Sequence, residues 1–136
     1  MSFADLTLDV TINKGRLTPV EYDLRNPKNL SCSVGSQSPA SVSWTNPHSI
    51  AWTKSVELSV SRIAHLQVVQ KNVLLLKPRS SDIINALNCS VNVNIISCNT
   101  VFFCNANYVF NKTIAASSSI DVNFLLGTCC TYLSTF

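Results

Sequence analysis

The sequence predicts an α+β fold, an antiparallel β-sheet preceded by an N-terminal hairpin and closed by a C-terminal helix. Three observations carry this. From Leu6 to Phe110, apolar residues recur in runs at every second position, the period of a half-buried strand. From Ser118 to Phe136 the pattern fits about 100° per residue instead, with Val122, Leu125, Leu126, Cys129, Tyr132, Leu133 and Phe136 on one face. The other face holds Phe124 and Gly127 and only one charge, Asp121, where a solvated helix carries several. A helix covered on both sides belongs to a subunit that completes its core with a second copy. A homodimer is therefore predicted, with Val122, Phe124, Leu125, Leu126, Gly127, Cys129 and Leu133 at its interface.

The elements follow in order within one domain, residues 1–136. Leu6, Leu8, Val10 and Ile12 alternate with polar residues, Asn13-Lys14-Gly15 signals a turn, and Leu17 to Leu24 is a short extended segment marked as an edge by Pro19. Together they predict a hairpin over 1–24. The sheet is predicted over 30–110: Leu30/Cys32/Val34, Val42/Trp44, Val56/Leu58/Val60, the apolar run Leu66 to Leu76, Val91/Val93/Ile95, and Val101 to Phe110. Ser80 to Asn88 predicts a helical turn with Ser81 as its N-cap. The terminal helix, 118–136, opens on Ser118 and Asp121 at capping-box spacing.

Composition narrows the function. The chain is 46% hydrophobic and 12% charged, about half the usual charged share, which excludes disorder and fits a surface buried in an assembly. Net charge is +3. Residues 1–23 set Lys14 and Arg16 against Asp5, Asp9, Glu21 and Asp23, while the remainder sets eight cations against Glu57, Asp82 and Asp121. The basic excess of the larger part favours a polyanion partner. No basic-then-apolar leader opens the chain and no run reaches the roughly 20 apolar residues of a membrane span, so a cytoplasmic start and no membrane partner are expected. Cys32, Cys89, Cys98, Cys104, Cys129 and Cys130 form no C-x-x-C pair, and His48 and His65 lack ligand spacing. No metal, cofactor or catalytic motif is predicted, and the cysteines read as small hydrophobes in a reducing cell.

The polar positions of the strands are rich in hydroxyls and amides. If the strands share one sheet, its open face offers hydrogen bonds to single-stranded RNA. The candidate contacts are Ser31, Ser33, Ser43, Thr45, Ser59, Ser61, Asn92 and Asn94, with Lys54 and Arg62 for phosphates.

On this layout the chain resembles the coat proteins of single-stranded RNA bacteriophages, the levivirus-like group. The resemblance is carried by Met1-Ser-Phe-Ala-Asp before the first strand, by Lys54-Ser-Val-Glu-Leu-Ser-Val-Ser-Arg62, and by Val122-Asn-Phe-Leu-Leu-Gly127 through Tyr132-Leu133. It implies an interlocked dimer clasped by the terminal helix, an icosahedral shell, packaging of genomic RNA with an operator hairpin as a further ligand, and residence in a virion assembled in bacterial cytoplasm. The chain lacks a second C-terminal helix and its open face is poor in Lys and Arg.

A second reading is an extracellular immunoglobulin-like binding domain. Cys32 precedes Trp44 by twelve residues and Cys98 follows 54 later, and three glycosylation sequons start at Asn29, Asn88 and Asn111. Against it, Ile96 stands where a tyrosine is expected two residues before the second cysteine.

Overall fold

The computed structural model describes residues 6–15, 18–63 and 67–128. In chain order these form β1 (Leu8–Ile12), a 3-10 turn (Asn13–Gly15), β2 (Val20–Asp23), β3 (Asn29–Ser36), β4 (Ala40–Thr45), β5 (Thr53–Ile63) and β6 (Gln67–Leu76). A single helix, α1 (Ser80–Ala86), precedes β7 (Cys89–Asn92), β8 (Ile95–Tyr108) and β9 (Ala115–Thr128). The strands make two sheets, β1-β3-β6-β5 and β2-β9-β8-β4, with β7 paired to the first residues of β8.

This overturns the α+β fold with a C-terminal helix. Residues 118–128 belong to β9, which runs antiparallel to β8 from Ala115 opposite Asn107 to Thr128 opposite Ile95. Ile120, Val122, Phe124 and Leu126 are buried at every second position. A short apolar run satisfies both periods; β8, with buried residues at every even position from Ile96 to Tyr108, supplies the partner that selects the strand. The remainder of the expected helix, 129–136, lies outside the described residues. The interlocked helical clasp therefore has no counterpart among residues 118–128.

The N-terminal hairpin is also replaced. β1 pairs antiparallel with β3, whereas β2 pairs parallel with β9 in the other sheet. Asn13, Lys14 and Gly15 all have positive φ (48°, 59° and 84°), and the Asn13 side chain accepts a hydrogen bond from the Ser31 amide at 3.0 Å. The segment is anchored to β3 instead of reversing onto β1. The expected single sheet over 30–110 is likewise divided between two layers. In β5, Leu58 and Val60 are 59% and 57% exposed, because a bulge between Glu57 and Ser59 breaks the alternation. The helical turn expected over 80–88 is present as α1. Its start is Arg79, whose amide donates to Asp82 Oδ2 at 3.0 Å, and its buried Ile83, with Leu87, joins the core.

The core fills the space between the sheets. Leu30, Cys32, Val34, Leu74 and Leu76 of the first sheet meet Phe102, Cys104, Ile120, Val122, Phe124 and Leu126 of the second. Cys32 of β3 and Cys104 of β8 form a disulfide across the layers, Cα atoms 6.5 Å apart. A second disulfide joins Cys89 to Cys98 across the β7–β8 hairpin. Trp44, directly opposite Cys104 in register, donates its indole N–H to Oδ1 of buried Asn72 in the facing sheet at 3.1 Å. The Tyr22 hydroxyl reaches the other way, donating to the Leu76 carbonyl at 2.7 Å.

Strands one, three, six and five facing two, nine, eight and four reproduce the A-B-E-D and G-F-C order of an immunoglobulin-type sandwich, with β2 as an added edge beside G. The bridge between the layers runs from Cys32 to Cys104, not to Cys98. Two residues before Cys104, Phe102 is 1% exposed and packs in the core.

Tyr22 supplies a test of the interlayer bonding. Burial pushes its phenol above the ordinary value near 10.0, with the Lys28 backbone partly opposing. A raised folded-state value means that its contribution is complete below about pH 10 and is lost as pH rises beyond it, because the unfolded chain ionises first. Tyr22→Phe should lower stability by about 1 kcal/mol at neutral pH, and the difference from wild type should shrink above pH 10 in urea titrations. A pH-independent difference would show that the hydroxyl contributes through packing alone.

Candidate binding face

The outer surface of the second sheet is set by strand alternation. With even positions of β8 and β9 committed to the core, odd positions face outward. Register then places Glu21, Asn123 and Asn99 in one row across β2, β9 and β8. Asp121 pairs with Val101 in the next row, and Phe103 stands between Ser119 and Thr45 beyond it. Asn105 bridges to β4, donating to Thr45 Oγ1 at 3.0 Å.

The loop after β4 is fastened to β8 beside this face. Asn46 donates through Nδ2 to Thr100 Oγ1 and to the Val101 carbonyl, both at 2.9 Å, while its Oδ1 accepts the His48 amide at 2.7 Å. His48 Nδ1 lies 2.9 Å from the same threonine hydroxyl. These bonds seat the imidazole at the rim of a cleft of about 750 Å3 lined by Pro19, Glu21, His48, Asn99, Asp121 and Asn123, among others. Asn123 Oδ1 is buried there without a hydrogen-bond partner among the described residues.

Charge is distributed one way. The strands of this sheet contain Glu21, Asp23 and Asp121 and no lysine or arginine. Asp23 is internally paired: Arg25, at 3.0 Å, holds its carboxyl below the usual carboxylate range through a side-chain hydrogen bond. Glu21 and Asp121 are exposed beside the cleft. Lys28 Nζ donates to the Glu21 carbonyl at 3.1 Å. The strand-borne cations, Lys54, Arg62 and Lys71, all belong to the other sheet. A chain of net charge +3 therefore has an acidic face.

The residues expected to contact RNA are divided between the two sheets, with Ser33 and Ser59 in one row on either side of Lys71 in the first. Ser31 and Ser33 lie in β3, and Lys54, Ser59, Ser61 and Arg62 in β5, all in the first sheet. Ser43 and Thr45 are on β4 in the second sheet, Asn92 ends β7, and Asn94 sits in the β7–β8 turn with φ of 68°. Of the residues expected at a dimer interface, Val122, Phe124 and Leu126 are buried in the chain's own core and Leu125 is half-buried on the outer side. Gly127 takes φ of 86° where the β8–β9 register shifts, so its role is a bulge that glycine accommodates. Cys129 and Leu133 lie outside the described residues. Glu21, His48, Asn99, Asp121 and Asn123 were not expected as a group. The readable signal for them was the absence of any charge from residues 95–108 and of any cation from 115–128.

Among the described residues no cluster of His, Cys, Asp and Glu could hold a metal, and no helix is long and apolar enough to cross a membrane. No family model, curated protein or solved structure matches the chain.

The orphaned Asn123 oxygen carries a cost that a binding site can tolerate and a purely structural position has no reason to keep. Asn123→Val, well suited to a strand, should stabilise the domain by about 1 kcal/mol in chemical denaturation. An equal loss instead would show that the amide is satisfied in solution.

Proposed function

We propose that this chain is an immunoglobulin-like binding module of an oxidising, extracellular-type compartment, engaging a basic protein segment through its β2-β9-β8-β4 face. The observation that carries the reading is the acidic cleft on that face: two exposed carboxylates and an unpaired amide oxygen, on a sheet whose strands contain no cation. Lysine and arginine side chains supply the donors such a surface needs. The two disulfides support an oxidising setting. A rigid sandwich presenting polar groups on one face and at its loops suits recognition.

Catalysis finds less support. His48 does approach a hydroxyl, but Thr100 is 7% exposed and already accepts from Asn46, so the pair fastens a loop. The phage-coat reading rested on the α+β layout with its C-terminal helix and on three short sequence patterns, and the sandwich removes the layout. An acidic face also repels RNA phosphates.

The test is a peptide array probed with the oxidised full chain at low and physiological salt. Lysine- and arginine-rich peptides should be retained over neutral and acidic ones, with binding falling as salt rises. A Glu21→Lys/Asp121→Lys variant should lose about tenfold or more in affinity at unchanged thermal stability. Retention that ignores peptide charge, or that survives the double substitution, would rule the proposed face out.

A further inference from the structure

The three Asn-x-Ser/Thr tripeptides have different surroundings. Asn29 opens a strand held between two neighbours, and the amide of its Ser31 is bonded to Asn13. In the tripeptide at Asn88, the middle residue Cys89 is bridged to Cys98 and the Ser90 hydroxyl lies 3.4 Å from that of Ser97. Asn111 sits instead in the turn between β8 and β9, with Lys112 and Thr113 exposed. Its Oδ1 accepts both the Thr113 amide at 3.1 Å and the Thr113 hydroxyl at 2.6 Å.

From this geometry we infer that Asn111 is an N-glycan acceptor, and that its glycan caps the β8–β9 end of the sandwich while leaving the acidic face open. The Thr113 hydroxyl, donating to Oδ1, draws electron density from the amide and makes Nδ2–H more acidic. Nδ2 makes no hydrogen bond among the described residues. In the transfer, Nδ2 attacks the anomeric carbon of an oligosaccharyl pyrophospholipid. The new N–C bond replaces the C–O bond to pyrophosphate, the pyrophospholipid leaves with that electron pair, and the Nδ2 proton passes to the transferase's base.

Position makes such a glycan compatible with binding. Asn107, the last residue of β8 paired with β9, is eight residues along the strand from Asn99 of the cleft, about 26 Å at the usual rise. The same turn exposes Val109 and Phe110, at 61% and 52%, directly before the acceptor. An apolar pair at a loop tip is otherwise an association liability, and a sugar on the next residue covers it.

The inference rests on the secretory setting proposed above but not on the cleft. The full chain is expressed behind a secretion leader in cultured animal cells. Protein from both medium and lysate is treated with peptide N-glycosidase in H2(18)O and mapped by mass spectrometry. Asn111 should be recovered as 18O-labelled aspartate. Thr113→Ala should abolish that label without affecting Asn29 or Asn88, and Thr113→Ser should retain it. Unlabelled Asn111 in both fractions overturns the inference, whatever the state of the other two sites. The same preparations are applied to the peptide array: charge-selective binding by unglycosylated protein removes only the glycan, whereas a labelled Asn111 without such binding removes only the acidic-face reading.

Discussion

The covalent link between Cys32 and Cys104 joins an inner strand of each sheet, and the placement of the other elements depends on those two layers being face to face. The bridge spans 72 residues of chain, so in the loop-entropy account it removes about 4 kcal/mol of freedom from the unfolded state. That is a large part of the net stability of a small domain. Cys89–Cys98 closes only nine and is worth less, about 2.5 kcal/mol on the same account. Its effect is local, holding the β7–β8 hairpin beside the longer sheet. Around the main bridge, Trp44 to Asn72 and Tyr22 to Leu76 tie the layers by directional bonds, and Tyr22, Phe124 and Trp52 stack edge-on at 5.2 and 5.4 Å.

Once the layers are fixed, alternation decides what each can do. The inward positions of β8 and β9 supply most of one side of the core, and their outward positions mix Asn and Ser with Val101, Phe103 and Leu125 and carry a single charge, Asp121. The first sheet carries the strand lysines and arginine on β5 and β6. The same sheet also holds Asp9 and Glu57, so strand-borne cations are confined to the first sheet while strand-borne carboxylates occur in both. The cleft at Glu21, Asp121 and Asn123 lies near one end of the acidic face, and the β8–β9 turn with Asn111 lies at the other.

Much of the strand content was legible from period-two runs: Leu30/Cys32/Val34, Val91/Ile95 and 101–108 all lie in strands or their tight turn, and α1 was readable from Ile83 and Leu87. Their distribution between two sheets was not, because alternation states which residues share a face and never which strand lies alongside. Segment 118–128 failed for a different reason. Val122, Leu125 and Leu126 fit a helix wheel as well as they fit a strand, and only the long partner β8 separates the two. The spacing of Cys32, Trp44 and Cys98 pointed to a bridge between layers, but spacing alone did not show that Cys104 rather than Cys98 faces Cys32. The acidic cleft was hidden because Glu21 and Asp121 stand a hundred residues apart and meet only through the parallel pairing of β2 with β9.

The central claim is a two-layer sandwich locked through its middle strands. Peptide mapping of the unreduced protein, alkylated before digestion and analysed by mass spectrometry, tests it most directly. The account predicts a linked pair containing Cys32 and Cys104 and a second containing Cys89 and Cys98, both lost on reduction. A Cys32–Cys98 link, or alkylated thiols at Cys32 and Cys104 in protein folded under oxidising conditions, would contradict it.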